Sequence, residues 1–131
     1  AQASKEYYSH TVESEPESVR EVAQASIDAM NLTVRDTTVV KQLEWDASEN
    51  SYDGENRWRY MLETSEGNRV QLVLEERKGY IGIYPAGKGW QRVQFWSGGL
   101  PAAMDMEASK SLINDMKQRI PESKTADGWE L

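Results

Sequence analysis

The stretch of residues 56–99 constrains the fold most strongly, because apolar and polar residues alternate along it in short segments separated by turn residues. Successive side chains of a β-strand point to opposite faces, so this alternation predicts strands. The turn residues lie at 65–68, 78–79 and 85–89, where glycine, proline and asparagine occur. Since these connections are short and parallel strands need long crossovers, we expect an antiparallel meander.

The two faces of this predicted sheet differ in character. One face is apolar and would belong to the core: Trp58, Tyr60, Leu62, Val70, Leu72, Leu74, Ile81, Ile83, Val93 and Phe95. The other face carries polar, basic and aromatic side chains: Arg57, Arg59, Arg69, Gln71, Tyr80, Tyr84, Trp90, Arg92, Gln94 and Trp96. We expect the apolar face to be covered by other elements of the chain.

Helical periodicity occurs on both sides of this stretch. A first helix is predicted over residues 16–30 by apolar residues at helical spacing: Val19, Val22, Ala23, Ser26, Ile27 and Met30. Ser14 and Glu17 have the spacing of a capping box, and Asn31 suits a left-handed residue at the helix end. A second helix would start at Pro101, end at the next proline and bury a second apolar stripe: Met104, Ala108, Leu112, Ile113, Met116 and Ile120.

These elements predict an α+β fold. We expect a two-layer sandwich in which an antiparallel four- to five-stranded meander has an N-terminal and a C-terminal helix packed on one face. The first main strand would cover residues 32–46, which are rich in β-branched side chains. A polar loop over residues 47–55, closed by Asp53-Gly54, would lead into the next strand.

The length of the chain predicts its domain organisation. With 131 residues and no long linker, it has the size of one ordinary domain over residues 1–131. Residues 1–13 would form an N-terminal arm or an edge strand. Residues 122–131 would be a loosely held tail.

Charge is distributed unevenly along the chain. The net charge is −7, yet residues 56–99 hold seven Lys or Arg and only four Asp or Glu. The sheet would therefore be a basic element on an acidic body, and an acidic body repels nucleic acid. No apolar run reaches the ~20 residues that span a bilayer, which predicts no transmembrane segment. The absence of cysteine excludes disulfides and thiol catalysis in this chain.

Several chemistries lack the residues that they need. His10 is the single histidine, which argues against a histidine-rich zinc site, and we expect it to be a surface group. No glycine-rich phosphate loop has the required spacing. The acidic loop that starts at Asp46 resembles a calcium loop in composition, but Ser51 and Arg57 occupy the positions where an EF-hand needs glycine and glutamate. We therefore predict no metal and no cofactor.

The polar face of the sheet is the candidate binding site. Tryptophan, tyrosine and arginine are enriched at binding hot spots, and arginine grips carboxylate or phosphate through paired donors. The candidate binding residues are Arg57, Arg59, Tyr80, Tyr84, Trp90, Arg92 and Trp96. Two other interpretations stay open. The arginines could be paired with nearby carboxylates, or the face could be covered by the tail, the N-terminal arm or a second copy of the chain.

This face leads to a hypothesis about function. We expect a non-enzymatic binding or interaction module that holds a protein partner or a small anionic ligand. The N-terminal Ala1-Gln2-Ala3 has the small-x-small form of a signal-peptide cleavage site, so we expect a periplasmic or secreted protein of the bacterial envelope. The alternative is a structural subunit that self-assembles into a homo-oligomer through the same face.

A second alternative is a small carboxylate-dependent hydrolase. Paired carboxylates can carry out acid–base chemistry, and four glutamates lie on predicted strands: Glu44, Glu63, Glu75 and Glu76. Nothing in their spacing selects a pair, so the sequence favours binding over catalysis.

Overall fold

The computed structural model describes residues 4–46, 51–77, 80–81, 84–85 and 92–120. These residues form two helices and seven strands. In chain order the elements are β1 (Glu6–Val12), α1 (Pro16–Ala29), β2 (Thr33–Asp46), β3 (Ser51–Glu63), β4 (Arg69–Arg77), β5 (Tyr80–Ile81), β6 (Tyr84–Pro85), β7 (Arg92–Gly99) and α2 (Met106–Arg119). The predicted tail over residues 122–131 lies outside the described residues.

Five strands form one antiparallel sheet in the order β1-β7-β4-β3-β2. With an N-terminal and a C-terminal helix, this arrangement confirms the predicted two-layer α+β fold. Of the two alternatives for the N-terminal segment, the edge strand is the one that forms. The strand β1 pairs with β7, from Glu6↔Gly99 to Val12↔Val93, so the first and last strands of the chain are neighbours.

The sheet differs from the predicted meander at one connection. Tyr80–Ile81 and Tyr84–Pro85 do not belong to the main sheet, because β5 and β6 pair only with each other, in the register Tyr80↔Pro85 and Ile81↔Tyr84. Proline has no N–H to donate to a continuing ladder, which suits Pro85 to the end of a short hairpin. The prediction that Tyr80 and Tyr84 lie on the polar face of the main sheet is therefore wrong.

The hairpin of β2 and β3 is longer than predicted. Its ladder continues to Asp46↔Ser51, so Asp53 and Gly54 are strand residues, and Gly54 lies opposite Leu43. The predicted polar loop is therefore wrong for residues 51–55, since pairing with a long neighbouring strand outweighs the local preference of Asp-Gly for a turn. The other residues of that loop lie outside the described residues.

The first helix begins at Pro16 as predicted, but its cap and the start of the second helix differ from the prediction. In the described structure Glu15 is the N-cap residue of α1, and its side chain makes no capping hydrogen bond, so the predicted capping box is wrong. The left-handed residue at the helix end is confirmed, because Asn31 has φ 54°. The second helix starts at Met106 rather than at Pro101, since the Asp105 carboxylate accepts a hydrogen bond from the Ala108 backbone N–H at 2.9 Å.

The core lies between one face of the sheet and the two helices. Phe95, Leu72 and Leu74 are fully buried at its centre. Strand residues and helix residues form one cluster: Val12, Val19, Ala23, Ile27, Leu32, Trp58, Tyr60, Leu62, Val70, Leu72, Leu74, Val93, Phe95, Leu112, Ile113 and Met116. The predicted apolar face is confirmed for its described side chains.

His10 belongs to this buried face and is not the predicted surface group. It is 8% exposed, and its ring meets Phe95 edge-on with ring centroids 5.6 Å apart. The prediction failed because the pairing of β1 with β7 sets His10 directly opposite Phe95, on the side of the helices. A pairing between distant parts of the chain decided its burial.

Asp115 provides a test of pH dependence. Burial raises the pKa of the Asp115 carboxyl, but the neighbouring Ser26 hydroxyl and the Arg119 guanidinium, whose Nε lies 2.6 Å from Oδ2, lower that pKa below its ordinary value. A carboxyl with a lowered pKa stabilises the folded state above about pH 4 and loses this effect as the pH falls through the folded pKa. Asp115→Asn should cost about 0.5 kcal/mol at pH 7 and almost nothing near pH 2.

Urea unfolding at both pH values measures this difference. In an Arg119→Gln background the Asp115→Asn substitution should have a smaller effect at pH 7, because the ion pair is absent and only the Ser26 hydroxyl still favours the carboxylate. An equal loss of stability at both pH values would contradict the prediction.

Candidate functional site

The face of the sheet that points away from the helices carries the candidate site. The register places on it Tyr7, Ser9 and Thr11 of β1, Arg92, Gln94 and Trp96 of β7, Gln71, Val73, Glu75 and Arg77 of β4, and Arg57, Arg59 and Met61 of β3. We call this surface the open face. In the described part of the chain both helices pack on the opposite side, since their buried residues join the core cluster.

Four of the seven predicted site residues lie together on the open face. Arg57 and Arg59 are on β3, and Arg92 and Trp96 are on β7. Tyr80 and Tyr84 belong to the separate small hairpin, and Trp90 lies outside the described residues. Among these four, Arg59 is exposed, and the other three are partly buried.

A buried carboxylate lies at the centre of the open face. Glu75 is only 3% exposed. Its Oε2 lies 3.4 Å from Arg57 Nη2, and its Oε1 lies 3.4 Å from Arg77 Nη2. A buried charge is costly unless it is paired, and the two guanidinium groups compensate the carboxylate in this position. The interpretation that the arginines pair with carboxylates therefore holds for Arg57.

The Glu75 pairs also fix the surrounding side chains. The guanidinium carbon of Arg57 lies 5.7 Å from the centroid of the Trp96 ring, which is a cation–π contact. Arg77 Nη2 donates to Gln94 Oε1 at 3.3 Å. Salt bridge, cation–π contact and hydrogen bond thus connect side chains of three neighbouring strands.

A shallow cavity of about 340 Å³ opens beside Trp96 on this face. It is lined by Tyr7 and Ser9 of β1, Glu75 and Arg77 of β4, and Gln94 and Trp96 of β7. We call it the Trp96 cavity. Its volume is at the lower end of the range of small-molecule sites, and it combines aromatic walls with a few polar groups.

Sequence reasoning missed four residues of this cavity: Tyr7, Ser9, Glu75 and Arg77. A signal existed for Glu75 and Arg77, since both follow the alternation that places Gln71 on the polar face. No local signal existed for Tyr7 and Ser9, because only the pairing of β1 with β7 brings them beside Trp96.

A second groove, of about 690 Å³, lies at the start of α2. Its lining includes Glu6, Arg69, Asp105 and Glu107. The Asp105 carboxylate is occupied there, because it caps the helix and accepts a hydrogen bond from Asn68 Nδ2 at 3.1 Å. This groove therefore offers fewer unoccupied polar groups than its size suggests.

The strand glutamates do not converge where their side chains are described. Glu75 lies on the open face, whereas Glu76 points to the helix side and accepts a hydrogen bond from Asn56 Nδ2 at 3.2 Å. Glu63 pairs with Arg35 at 3.7 Å, at the other end of the ladder between β3 and β4. The side chain of the fourth, Glu44, is outside the described part.

The described ranges contain no group of three or more histidine or acidic side chains that is arranged to hold a metal ion. None of their helices has the length and apolar character needed to cross a membrane. The loop with a calcium-like composition has no described side chains before Asn56, so that part of the prediction is outside the described residues.

Comparison with known proteins gives no match. No family model matches the chain, and neither the curated proteins nor the solved structures include a significant match.

Proposed function

We propose that this protein is a non-enzymatic binding module that uses the open face to hold an acidic protein partner or a small anionic ligand. The observation that carries the proposal is that Arg57, Arg59, Arg77, Arg92 and Trp96 share one face of the sheet, on which no helix of the described residues packs. The chain as a whole has a net charge of −7, so this basic surface is locally exceptional.

Charge and geometry support an anionic partner. Arg57 and Arg77 share the carboxylate of Glu75, so two guanidinium groups face one carboxylate and leave a surplus of positive charge. Arg59 is exposed on this face, and guanidinium groups bind carboxylates through two parallel hydrogen bonds. Trp96 adds an apolar surface, and tryptophan and arginine are the residues that dominate binding hot spots.

The proposal is tested with a hexaglutamate peptide as a simple acidic probe. We expect Arg59→Gln to weaken its binding about fivefold, since one exposed ion pair contributes about 1 kcal/mol at low salt. Lys110→Gln is the matched control, because it removes the same charge from an exposed position on α2. Calorimetry at low and high salt measures both variants. Equal weakening by the two would show an unspecific charge effect, and no binding of hexaglutamate by the wild type would refute an acidic protein partner.

Self-assembly is a second candidate, favoured by the edge strand β2. Val34, Val39 and Val40 are 39%, 58% and 47% exposed on this strand, and long exposed edges are templates for pairing with another chain. Light scattering of the wild type, Val39→Lys and Trp96→Glu distinguishes the possibilities. A mass of 14.9 kDa at all concentrations excludes self-assembly. If Val39→Lys breaks a dimer, the β2 edge is the interface. If Trp96→Glu breaks it, the open face is the interface.

The location of the protein, periplasmic or secreted, is part of this proposal and stays a prediction. Cell fractionation of the natural host protein measures it. Recovery from the cytoplasm alone would contradict it.

A further inference from the structure

The Trp96 cavity has walls that suit a ring-shaped ligand. Trp96 supplies a large flat surface, and its ring contacts the Arg57 guanidinium. Tyr7 is 47% exposed at the cavity, so a second aromatic ring is accessible there. Aromatic rings stack on planar groups and on the C–H faces of sugar rings, and Trp and Tyr offer this surface at little entropic cost.

The polar lining of the cavity narrows the class of ligand. Ser9, Gln94, Glu75 and Arg77 bring a hydroxyl, an amide, a carboxylate and a guanidinium into one small space. These groups include donors and acceptors side by side, as Arg77 and Gln94 show by binding each other. Sugar hydroxyl groups each donate and accept hydrogen bonds, so a saccharide can use such a lining more completely than an apolar ring can.

Charge decides between a neutral and an acidic saccharide. Within the lining Glu75 and Arg77 compensate each other. Arg57, which is outside the lining, also pairs with Glu75, and the exposed Arg59 lies on the same face, so the guanidinium groups outnumber the carboxylate. A carboxylate on the ligand would meet this surplus.

We propose that the Trp96 cavity binds the ring of an acidic saccharide of the uronic acid type, with the ring against Trp96 and the carboxylate directed to the arginines. This inference rests on the proposed function, because it names the ligand class of the same face. It adds a requirement that general binding of anions lacks, namely recognition of the ring.

The experiment compares three probes of equal length: hexagalacturonate, which has rings and charge, hexaglutamate, which has charge alone, and maltohexaose, which has rings alone. Calorimetry measures their binding to the wild type, to Trp96→Ala, to Gln94→Ala and to Arg59→Gln. We expect hexagalacturonate to bind most tightly. Trp96→Ala should weaken its binding about tenfold, which corresponds to one aromatic contact.

The variants distinguish recognition of the ring from recognition of the charge. Trp96→Ala and Gln94→Ala should change the binding of hexaglutamate less than threefold, whereas Arg59→Gln should weaken both anionic probes. Urea unfolding of each variant verifies that it is folded, and Gln94→Ala serves as the test if Trp96→Ala is not.

Each of the remaining outcomes would overturn one or both of the proposals. Binding of hexaglutamate as tight as that of hexagalacturonate, with no selective effect of Trp96→Ala, would overturn the saccharide inference and leave the proposed function standing. Binding of maltohexaose as tight as that of hexagalacturonate would overturn the acidic assignment. Binding of none of the probes would overturn both proposals.

Discussion

Replacing Gly98 by alanine is expected to destabilise the fold by about 3 kcal/mol, because it combines backbone strain with a steric clash. Gly98 has φ +146°, a conformation that residues with a side chain rarely adopt. A Cβ atom there would lie 2.2 Å from the backbone oxygen of Glu6 and 2.9 Å from the Tyr7 Cα. Both are backbone atoms of β1, so the clash is relieved only if the strand moves away.

Gly67→Ala is the matched control for this prediction. Gly67 also has a positive φ, +86°, but a Cβ atom there would have no neighbour within 4 Å. Gly67→Ala should therefore lose only about 1 kcal/mol of stability, from backbone strain alone. Urea unfolding measures both variants. Hydrogen exchange of the amides of β1 should accelerate in Gly98→Ala and stay unchanged in Gly67→Ala. Equal losses of stability in the two variants would show that the close approach of β1 and β7 is unimportant.

The two faces of the sheet could be predicted from the sequence, because alternation is a local property. Once Trp58 and Phe95 are assigned to the core, Arg57, Arg59 and Trp96 must lie on the other face, whatever the order of the strands. The helices were predictable for the same reason, since their apolar stripes repeat within each segment. The two-layer fold then follows from the need to cover one apolar face.

Pairings between distant segments could not be predicted in this way. The contact of β1 with β7 joins the first strand to the last, and it decides both the burial of His10 and the position of Tyr7. The residues Asp53-Gly54 have a turn sequence but lie in a ladder with β2. In each case a tertiary interaction outweighed the local preference that the sequence displays.

The candidate site was predicted in part. Alternation placed Arg57, Arg92 and Trp96 on one face, and the structure brings them together there. The role of Glu75 was not predicted. Alternation determines the face on which it lies, but its burial depends on its pairing with Arg57 of β3 and Arg77 of β4. The open face is therefore less basic at its centre than its arginine content suggests.

Replacing Glu75 by alanine is expected to cost about 2 kcal/mol of stability. Breaking a buried ion pair commonly costs about 3–5 kcal/mol, because the partner charge is left without compensation. Here the side chains of Arg57 and Arg77 are 36% and 48% exposed, so water can solvate them in part and the loss is smaller. Glu63→Ala is the matched control on the same face. Glu63 is 39% exposed and Arg35 is 64% exposed, so this pair should contribute at most about 0.5 kcal/mol.

A second substitution at Glu75 distinguishes its effect on stability from its effect on binding, because the Glu75 carboxylate competes with an external anion for the arginines. Glu75→Gln keeps the shape of the side chain and removes its charge. It should lower the free energy of unfolding and at the same time strengthen the binding of hexaglutamate severalfold, since Arg57 and Arg77 lose their internal partner. Urea unfolding and calorimetry on one preparation measure both quantities. A variant that loses stability and also binds the anion more weakly would show that Glu75 organises the arginines for the ligand rather than neutralising them. The open face would then need its buried carboxylate in order to bind.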